Sequence, residues 1–280
     1  MRRFLLLFVL PASLIACDSK PAPPRVTPPT STPTTDGPDA PAADAKPYSG
    51  RNKGEDGSIS GRVAFTGDLP NIPGPTPTTE CSAHAEQLVS ELVVRDAEGG
   101  LQNVFVYVKR GDIKNWSFDV PKEPIVIDQR GCRYYPHVQG MVAGQSMKIK
   151  NSDAFMHNVH SLAKENPMWS FAQPNIQEDV LTLQTTFKTF DRQEVVVPLK
   201  CDVHAWMNCW VGVLPHSLFT VTGPDGSFKI EGVPPGEYTV EAWHEFLGNK
   251  DAKPKATAPI QKKAKVEAGK AVTLDFEFKM

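Results

Sequence analysis

The chain has 280 residues, with 30 Lys and Arg against 32 Asp and Glu, a formal net charge of −2. So even a balance excludes the strong basic field on which nucleic-acid binding relies. With 26 Pro and an aromatic share of 9%, the composition predicts a poorly packing segment combined with β-rich folded parts. No apolar run beyond the extreme N-terminus is long enough to predict a membrane-spanning helix.

The N-terminus reads Met1-Arg2-Arg3, then an apolar run from Phe4 to Ala16, then Cys17. A charged start followed by a short apolar run predicts a secretory signal. Leu14-Ile15-Ala16-Cys17 resembles the lipobox of bacterial lipoproteins. That resemblance implies a signal peptide of residues 1–16, cleavage before Cys17, and a lipid on its sulfur and new amino group. The alternative is an ordinary signal with an incidental Cys. In enterobacterial lipoproteins an Asp after the lipidated Cys, here Asp18, favours retention at the inner membrane. The expected location is the periplasm or the cell surface, lipid-anchored to a bacterial membrane. Without Arg2 and Arg3, 28 basic residues would face 32 acidic ones, a formal charge near −4.

Residues 17–56 are dominated by Pro, Ala, Thr and Asp with few large apolar side chains. Such a stretch cannot bury enough surface to offset its ordering entropy, and predicts a disordered tether. Structure is predicted to begin at Gly57. Ile59, Gly61, Val63 and Phe65 alternate with Ser60, Arg62 and Ala64, the period of a strand. A Pro/Gly-rich loop follows from Leu69 to Thr79, and a short helix is predicted over Cys81 to Leu88. Strands are expected at Glu91–Arg95 and Leu101–Lys109 around a turn at Glu98-Gly99-Gly100, with Val104, Val106 and Val108 on one face. Extended runs follow at Ile125–Asp128, Cys132–Val138, Gln145–Asn151 and Val195–Leu199, the last leading into Cys201. Towards the C-terminus, Phe219–Ile230 reads as a hairpin whose tip is Gly223-Pro224-Asp225-Gly226.

The segment Cys201-Asp202-Val203-His204-Ala205-Trp206-Met207 offers a thiol, an imidazole and a thioether at spacing C-x2-H-x2-M. Soft sulfur donors combined with imidazole suit copper better than calcium, magnesium or ordinary zinc. A mononuclear blue-copper site needs two His, one Cys and a weak axial ligand. The second His is expected from Met156-His157-Asn158-Val159-His160. These residues resemble the cupredoxins, and within that family the amicyanin type. The resemblance implies a Greek-key β-sandwich, one type 1 copper, and His157, Cys201, His204 and Met207 as ligands. Met156 stands where that type has Pro. His160 is the alternative ligand on the same strand, but Asn158 should directly follow the ligand, which favours His157.

The pattern Asp225–Trp243, DGxFxIxGVPPGxYxVEAW, resembles the carboxypeptidase regulatory-like domain, a small transthyretin-like β-sandwich. Gly57–Val63 and Leu101–Val108 resemble earlier strands of the same family. The implied fold class is all-β, with two sandwiches. The regulatory-like part would comprise residues 57–115 and 217–280, with the cupredoxin of residues 116–216 inserted between them. The simpler alternative is an N-terminal extension of the cupredoxin and a separate C-terminal domain.

A binuclear copper site would need a second Cys between Cys201 and His204, and a multicopper oxidase several His-x-His pairs; the chain has neither. Structural zinc wants a closed tetrahedral set without Met. No nucleophilic triad or carboxylate pair stands out, so the chain is not expected to be an enzyme. Of the five Cys, Cys81, Cys132 and Cys209 remain after Cys17 and Cys201 are assigned. An exported protein can hold a disulfide, and Cys81 with Cys132 is the preferred pair, leaving Cys209 buried beside Trp206 and Trp210. A rival reading makes Cys81-x-x-His84, or Cys132 with His137, a second metal site. Trp206, Trp210 and Pro215 are expected to form an apolar collar around the metal, and His216 and His244 to lie in turns or at the surface.

These expectations amount to one-electron transfer between unidentified redox partner proteins, with the His204 edge as entry or exit point. The alternatives are a scaffold lipoprotein with structural or sensory copper, and a copper buffer.

Overall fold

The computed structural model describes residues 41–48, 55–68, 74–87, 93–174, 186–247 and 258–279. The chain divides into Met1–Thr32, none of it described, and Pro33–Met280, to which everything below belongs. The signal segment and Cys17 therefore lie outside the described residues.

The regular secondary structure of the described residues is almost entirely strand. In chain order these are β1 (Lys46–Tyr48), β2 (Gly57–Thr66), β3 (Phe105–Gly111), β4 (Trp116–Phe118), β5 (Ile125–Arg130), β6 (Arg133–Tyr135) and β7 (Val138–Val142). Then come β8 (Ser146–Asn151), β9 (His157–Ser161), β10 (Ser170–Gln173), β11 (Thr186–Thr189), β12 (Glu194–Lys200) and β13 (Asn208–Leu214). The last are β14 (Phe219–Val221), β15 (Ser227–Val233), β16 (Gly236–Trp243), β17 (Ile260–Val266), β18 (Ala271–Thr273) and β19 (Phe276–Lys279). Two short 3-10 turns, Ser82–Gln87 and Asp112–Asn115, complete the set.

Four sheets carry the fold. A five-stranded sheet of order β10-β9-β12-β13-β7 faces a four-stranded one of order β11-β8-β5-β6. Between them lies one apolar core that includes Ile127, Tyr134, Met147 and Ile149 from one side and Val159, Leu199, Val211 and Val213 from the other. The other two sheets, β14-β3-β16-β17 and β15-β2-β18 with β19 beside β2, enclose a second core. Ile59, Val63, Phe65, Val106, Val108, Phe228, Ile230, Val240, Phe276 and Phe278 belong to it. The second core thus draws on both ends of the described chain, and the first on the middle. The period-2 alternation in β2, β15 and β19 is what places their apolar side chains on one face.

Strand β3 is buried on both faces. Val104, Val106 and Val108 point into the second core, as their spacing predicts. Phe105 and Tyr107, of opposite parity, join Val138, Leu214 and Trp243 in a third cluster between the two sandwiches. The reason these sheets approach closely is a cross-strand glycine pair, Gly140 opposite Gly212. A Cβ on Gly212 would sit 2.3 Å from the Phe105 ring, and one on Gly140 2.3 Å from the Phe219 ring. Bare backbone gives the rings their floor.

Four expectations are corrected. The tether is expected through residue 56, yet Lys46–Tyr48 pairs in parallel with Trp116–Phe118, and Tyr48, 8% exposed, packs edge-on against Trp116 and tilted against Phe118. One aromatic side chain is enough to dock that stretch. Of Glu91–Arg95, the described part makes only a bridge between Arg95 and Leu101, because the chain turns at once. Asp96 Oδ1 accepts the Gly100 N–H at 2.5 Å, and Asp96 also pairs with Arg62 at 3.2 Å. The Leu101 strand starts only at Phe105, since Asn103 takes φ 63°, outside the extended region. The helix expected at Cys81–Leu88 is a 3-10 turn over Ser82–Gln87, and Leu88 is not described.

His216 and His244 are not at the surface: they are 2% and 1% exposed. Each ring closes a tight turn by accepting backbone N–H groups at Nδ1, from Leu218 for His216 and from Phe246 and Leu247 for His244, all at 3.2 Å. Burial depresses both rings to about 4, so they are neutral at pH 7.

Candidate metal centre

The site lies where β9 begins and β12 ends. These strands pair antiparallel, with Leu199 opposite Ser161 and Lys200 opposite His160. The start of β9 therefore comes level with the loop that follows Lys200. That loop, residues 201–207, joins β12 to its neighbour β13 and is pulled tight by two backbone bonds. The Cys201 N–H donates to the Met207 carbonyl at 3.0 Å and the Met207 N–H to the His204 carbonyl at 2.9 Å. A further clamp fastens the loop to β9. Asn158 Oδ1 accepts the Asp202 N–H at 2.5 Å, and Asn158 Nδ2 donates to Asp202 Oδ2 at 2.8 Å. Tyr134 holds the backbone of the same Asn158, its hydroxyl donating to the carbonyl at 2.6 Å.

This framework brings His157, Cys201 and His204 together. The two Nδ1 atoms are 3.0 Å apart, Cys201 Sγ is 3.7 Å from His204 Nδ1, and one donor atom from each of the three lies within 4.8 Å of the others. All three are buried, at 0%, 2% and 1% exposure. Met207 is buried in the same core as Cys201. His160 is not part of the group. It is three residues from His157, hence on the opposite face of the strand, and its Nδ1 lies 3.1 Å from Asp202 Oδ2 at the surface.

Electrostatics prepare these groups for a cation. Burial raises the Cys201 thiol, but the hydrogen bond with His157 and the N–H groups of Asn158, His204 and Val203 outweigh it, and the thiol sits below its ordinary range. Thiolate is the form that binds metal. Burial alone would depress His157, yet its bonds to Asp153 and Cys201 prevail and raise it, so without metal this ring favours a proton that a metal ion must displace. His204 is depressed by burial and by His157, which keeps it neutral with a lone pair to offer. One thiolate and two imidazoles brought together in a buried cluster, with a thioether in the same core, fit copper by donor softness.

Asp153, four residues before His157, escaped the sequence reading. Its Oδ2 accepts from His157 Nε2 at 2.7 Å, which fixes the tautomer and leaves the Nδ1 lone pair turned towards His204 and Cys201. The same carboxylate accepts the N–H of Gly131 at 2.6 Å and of Cys132 at 2.9 Å. Both of those residues are left-handed, at φ 58° and 59°. A second missed residue is Phe155, edge-on to both His rings at 5.1 and 6.2 Å. Acidic and aromatic residues just before His157 were the available signal.

Cys81 and Cys132 are joined in a disulfide. With both sulfurs in that bond, neither Cys81-x-x-His84 nor Cys132 with His137 forms a metal site, and His137 Nε2 instead bonds Glu245 at 2.5 Å. The disulfide pins residues 74–87 over the ligand loop. Its sulfurs lie within 4.8 Å of a His204 ring nitrogen, and Trp206 Nε1–H donates to the Cys132 carbonyl at 3.0 Å. His204 is therefore covered, whereas an entry or exit point at its edge requires that edge to be exposed. Trp206, its ring tilted 51° to that imidazole at 5.3 Å, is half-buried and closest to the expected collar. Trp210 faces away, in the cluster between the sandwiches, 5.4 Å from Trp243 and bonded to Glu245. Cys209, of opposite parity, points inward. It is fully buried, and burial raises its thiol far above the usual range.

No protein-family model matches the chain, and no curated protein matches it. Solved structures similar to parts of it include a reduced amicyanin variant, 23% identical, covering 34% of this chain and 86% of that one at a TM-score of 0.27. A Cu-containing nitrite reductase from Thermus scotoductus SA-01 is 18% identical and covers 34% of this chain at a TM-score of 0.27. This chain spans only 23% of that reductase. A purple cupredoxin from Nitrosopumilus maritimus is 19% identical and covers 32% of this chain and 98% of its own, at a TM-score of 0.25.

Proposed function

We propose that this chain is an exported, lipid-anchored type 1 copper protein that passes single electrons between redox partners, held by the lipid on Cys17. The observation that carries the reading is the buried set of His157 Nδ1, His204 Nδ1 and Cys201 Sγ, with Met207 closing the same loop. Copper when bound supplies the one-electron couple. The chain's own residues would hold it: Cys201 as thiolate, His157 and His204 as neutral imidazoles, and Met207 as a thioether donor. Asp153 holds His157 in register, and the Asn158–Asp202 clamp holds the loop to its strand. A site so fixed limits rearrangement between oxidation states, which is what fast electron exchange requires.

We further propose that residues 116–216 form a cupredoxin inserted in a regulatory-like sandwich of residues 57–115 and 217–280. The inner strands of the second sandwich come from both sides of that middle segment. A second reading, copper buffering for delivery, expects a solvent-open site, and the cover over His204 weighs against it; the same cover removes the exposed His204 edge that electron transfer is expected to use.

The test is visible absorption and electron paramagnetic resonance of the Cu(II)-loaded chain beside Cys201→Ser. The expected result is an intense thiolate-to-copper band with narrow copper hyperfine splitting, both lost in the variant, and reversible one-electron cycling. A colourless loaded chain, or an unchanged variant, overturns the assignment.

A further inference from the structure

We infer that Cys81, Cys132 and His204 form a second soft-metal site, closed by the disulfide and opened when a dithiol reduces it. In the oxidised chain the two sulfurs are spent on each other. Each nonetheless lies within 4.8 Å of the other and of one His204 ring nitrogen, and all three residues are buried at 0%, 0% and 1% exposure. Reduction transfers two electrons and two protons: a dithiol donor becomes a disulfide, and the Cys81–Cys132 bond becomes two thiols. Binding one Cu(I) then releases both thiol protons to solvent and, because His204 Nδ1 is kept for the first copper, the proton of its other ring nitrogen as well, leaving two thiolates and a bridging imidazolate around the ion. That is a low-coordinate, sulfur-rich set, the kind that selects Cu(I) over harder cations.

Three features mark this as more than a structural staple. A disulfide that only pinned residues 74–87 could sit anywhere along them, whereas this one lies against a proposed copper ligand. Its anchorage is independent of the bond itself, because Asp153 accepts the Cys132 N–H at 2.9 Å and Trp206 donates to the Cys132 carbonyl at 3.0 Å. Cys132 thus stays beside His204 when the sulfurs part. The cover is also thin, for Glu80, Ser82 and Ala83, which flank Cys81, are exposed, giving a reductant a short approach. Cys209, the other buried thiol, has no such setting.

The inference rests on the proposed copper reading only through His204, and its readout is separate. The full chain is titrated with Cu(I) against a chromophoric chelator, oxidised and after reduction by a water-soluble phosphine. The expected stoichiometry is one ion per chain when oxidised and one more after reduction, with X-ray absorption reporting two sulfurs and a nitrogen on the added ion. Cys81→Ser and Cys132→Ser should each weaken the added ion by at least about tenfold, or about 1.4 kcal/mol, and Cys209→Ser should leave it unchanged. An unaltered stoichiometry on reduction overturns the inference, as does an added ion bound equally well by the two serine variants. The blue absorption of each oxidised variant shows that the fold and the first site persist. Failure of that absorption in the parent chain counts against the copper reading, not against this one.

Discussion

At the scale of single residues, Asp153 does the most. Three donors converge on its carboxylate, and two of them hold left-handed backbone at the disulfide turn. In Asp153→Ala the N–H groups of Gly131 and Cys132 and the Nε2–H of His157 lose their acceptor. A buried donor left unsatisfied costs about 1–3 kcal/mol. The urea unfolding free energy of the disulfide-intact, metal-free chain should therefore fall by about 3 kcal/mol or more. Asp153→Asn keeps one acceptor oxygen and should recover part of the loss. A drop below about 1 kcal/mol in the Ala variant would mean the donors find water. Asp153 was not legible because its role depends on Gly131 and Cys132, distant in sequence. The ligand loop, by contrast, is local: Cys201, His204 and Met207 fall within one tight turn, so their spacing alone brought them forward. His216 and His244 were misjudged for a related reason. A His that closes a turn and one that faces water look identical in sequence, since only packing decides.

At the scale of elements, β3 and β13 tie the two sandwiches together. Alternation made β2, β15 and the valine face of β3 readable in advance. The reverse face of β3 was not, because Phe105 and Tyr107 stand on a surface that exists only when β7 and β13 are beside it. Gly140 and Gly212 are the counterpart of those rings. Gly212→Ala should cost about 1–3 kcal/mol, the usual toll of overpacking a filled interior. Phe105→Leu in the same chain should return part of that loss, a coupling a double-mutant cycle would measure. If the two substitutions prove additive, the ring and the glycine are not in the contact described.

At the scale of the whole molecule, pH acts through the two buried histidines. Their folded values are depressed to about 4 from an ordinary 6.5, so the unfolded chain takes up protons more readily than the folded one. Stability from this source is complete above about pH 6.5 and declines as pH falls towards 4. Each ring contributes roughly 3 kcal/mol to that decline at its limit. Thermal unfolding of the metal-free chain should show a falling Tm over pH 6.5 to 4, and His216→Gln should flatten the slope. An unchanged slope would mean the ring is protonated in the fold. Strands were legible from their periods and turn residues, and the all-β class with two cores was what the family resemblances implied. Their junction was not, being built from residues whose roles are set by a neighbour remote in sequence.

The glycine floor also bears on modularity. The ligand loop runs into β13 at Asn208, and four residues later the same strand carries Gly212 beneath Phe105. Cut away from its companion, the sandwich that carries the candidate site would present Val138, Trp210, Leu214 and two bare glycines to water, a flat apolar wall rather than a finished surface. The two halves are thus not interchangeable cassettes. Neither could be transplanted, shortened or replaced without the other being refitted along that seam.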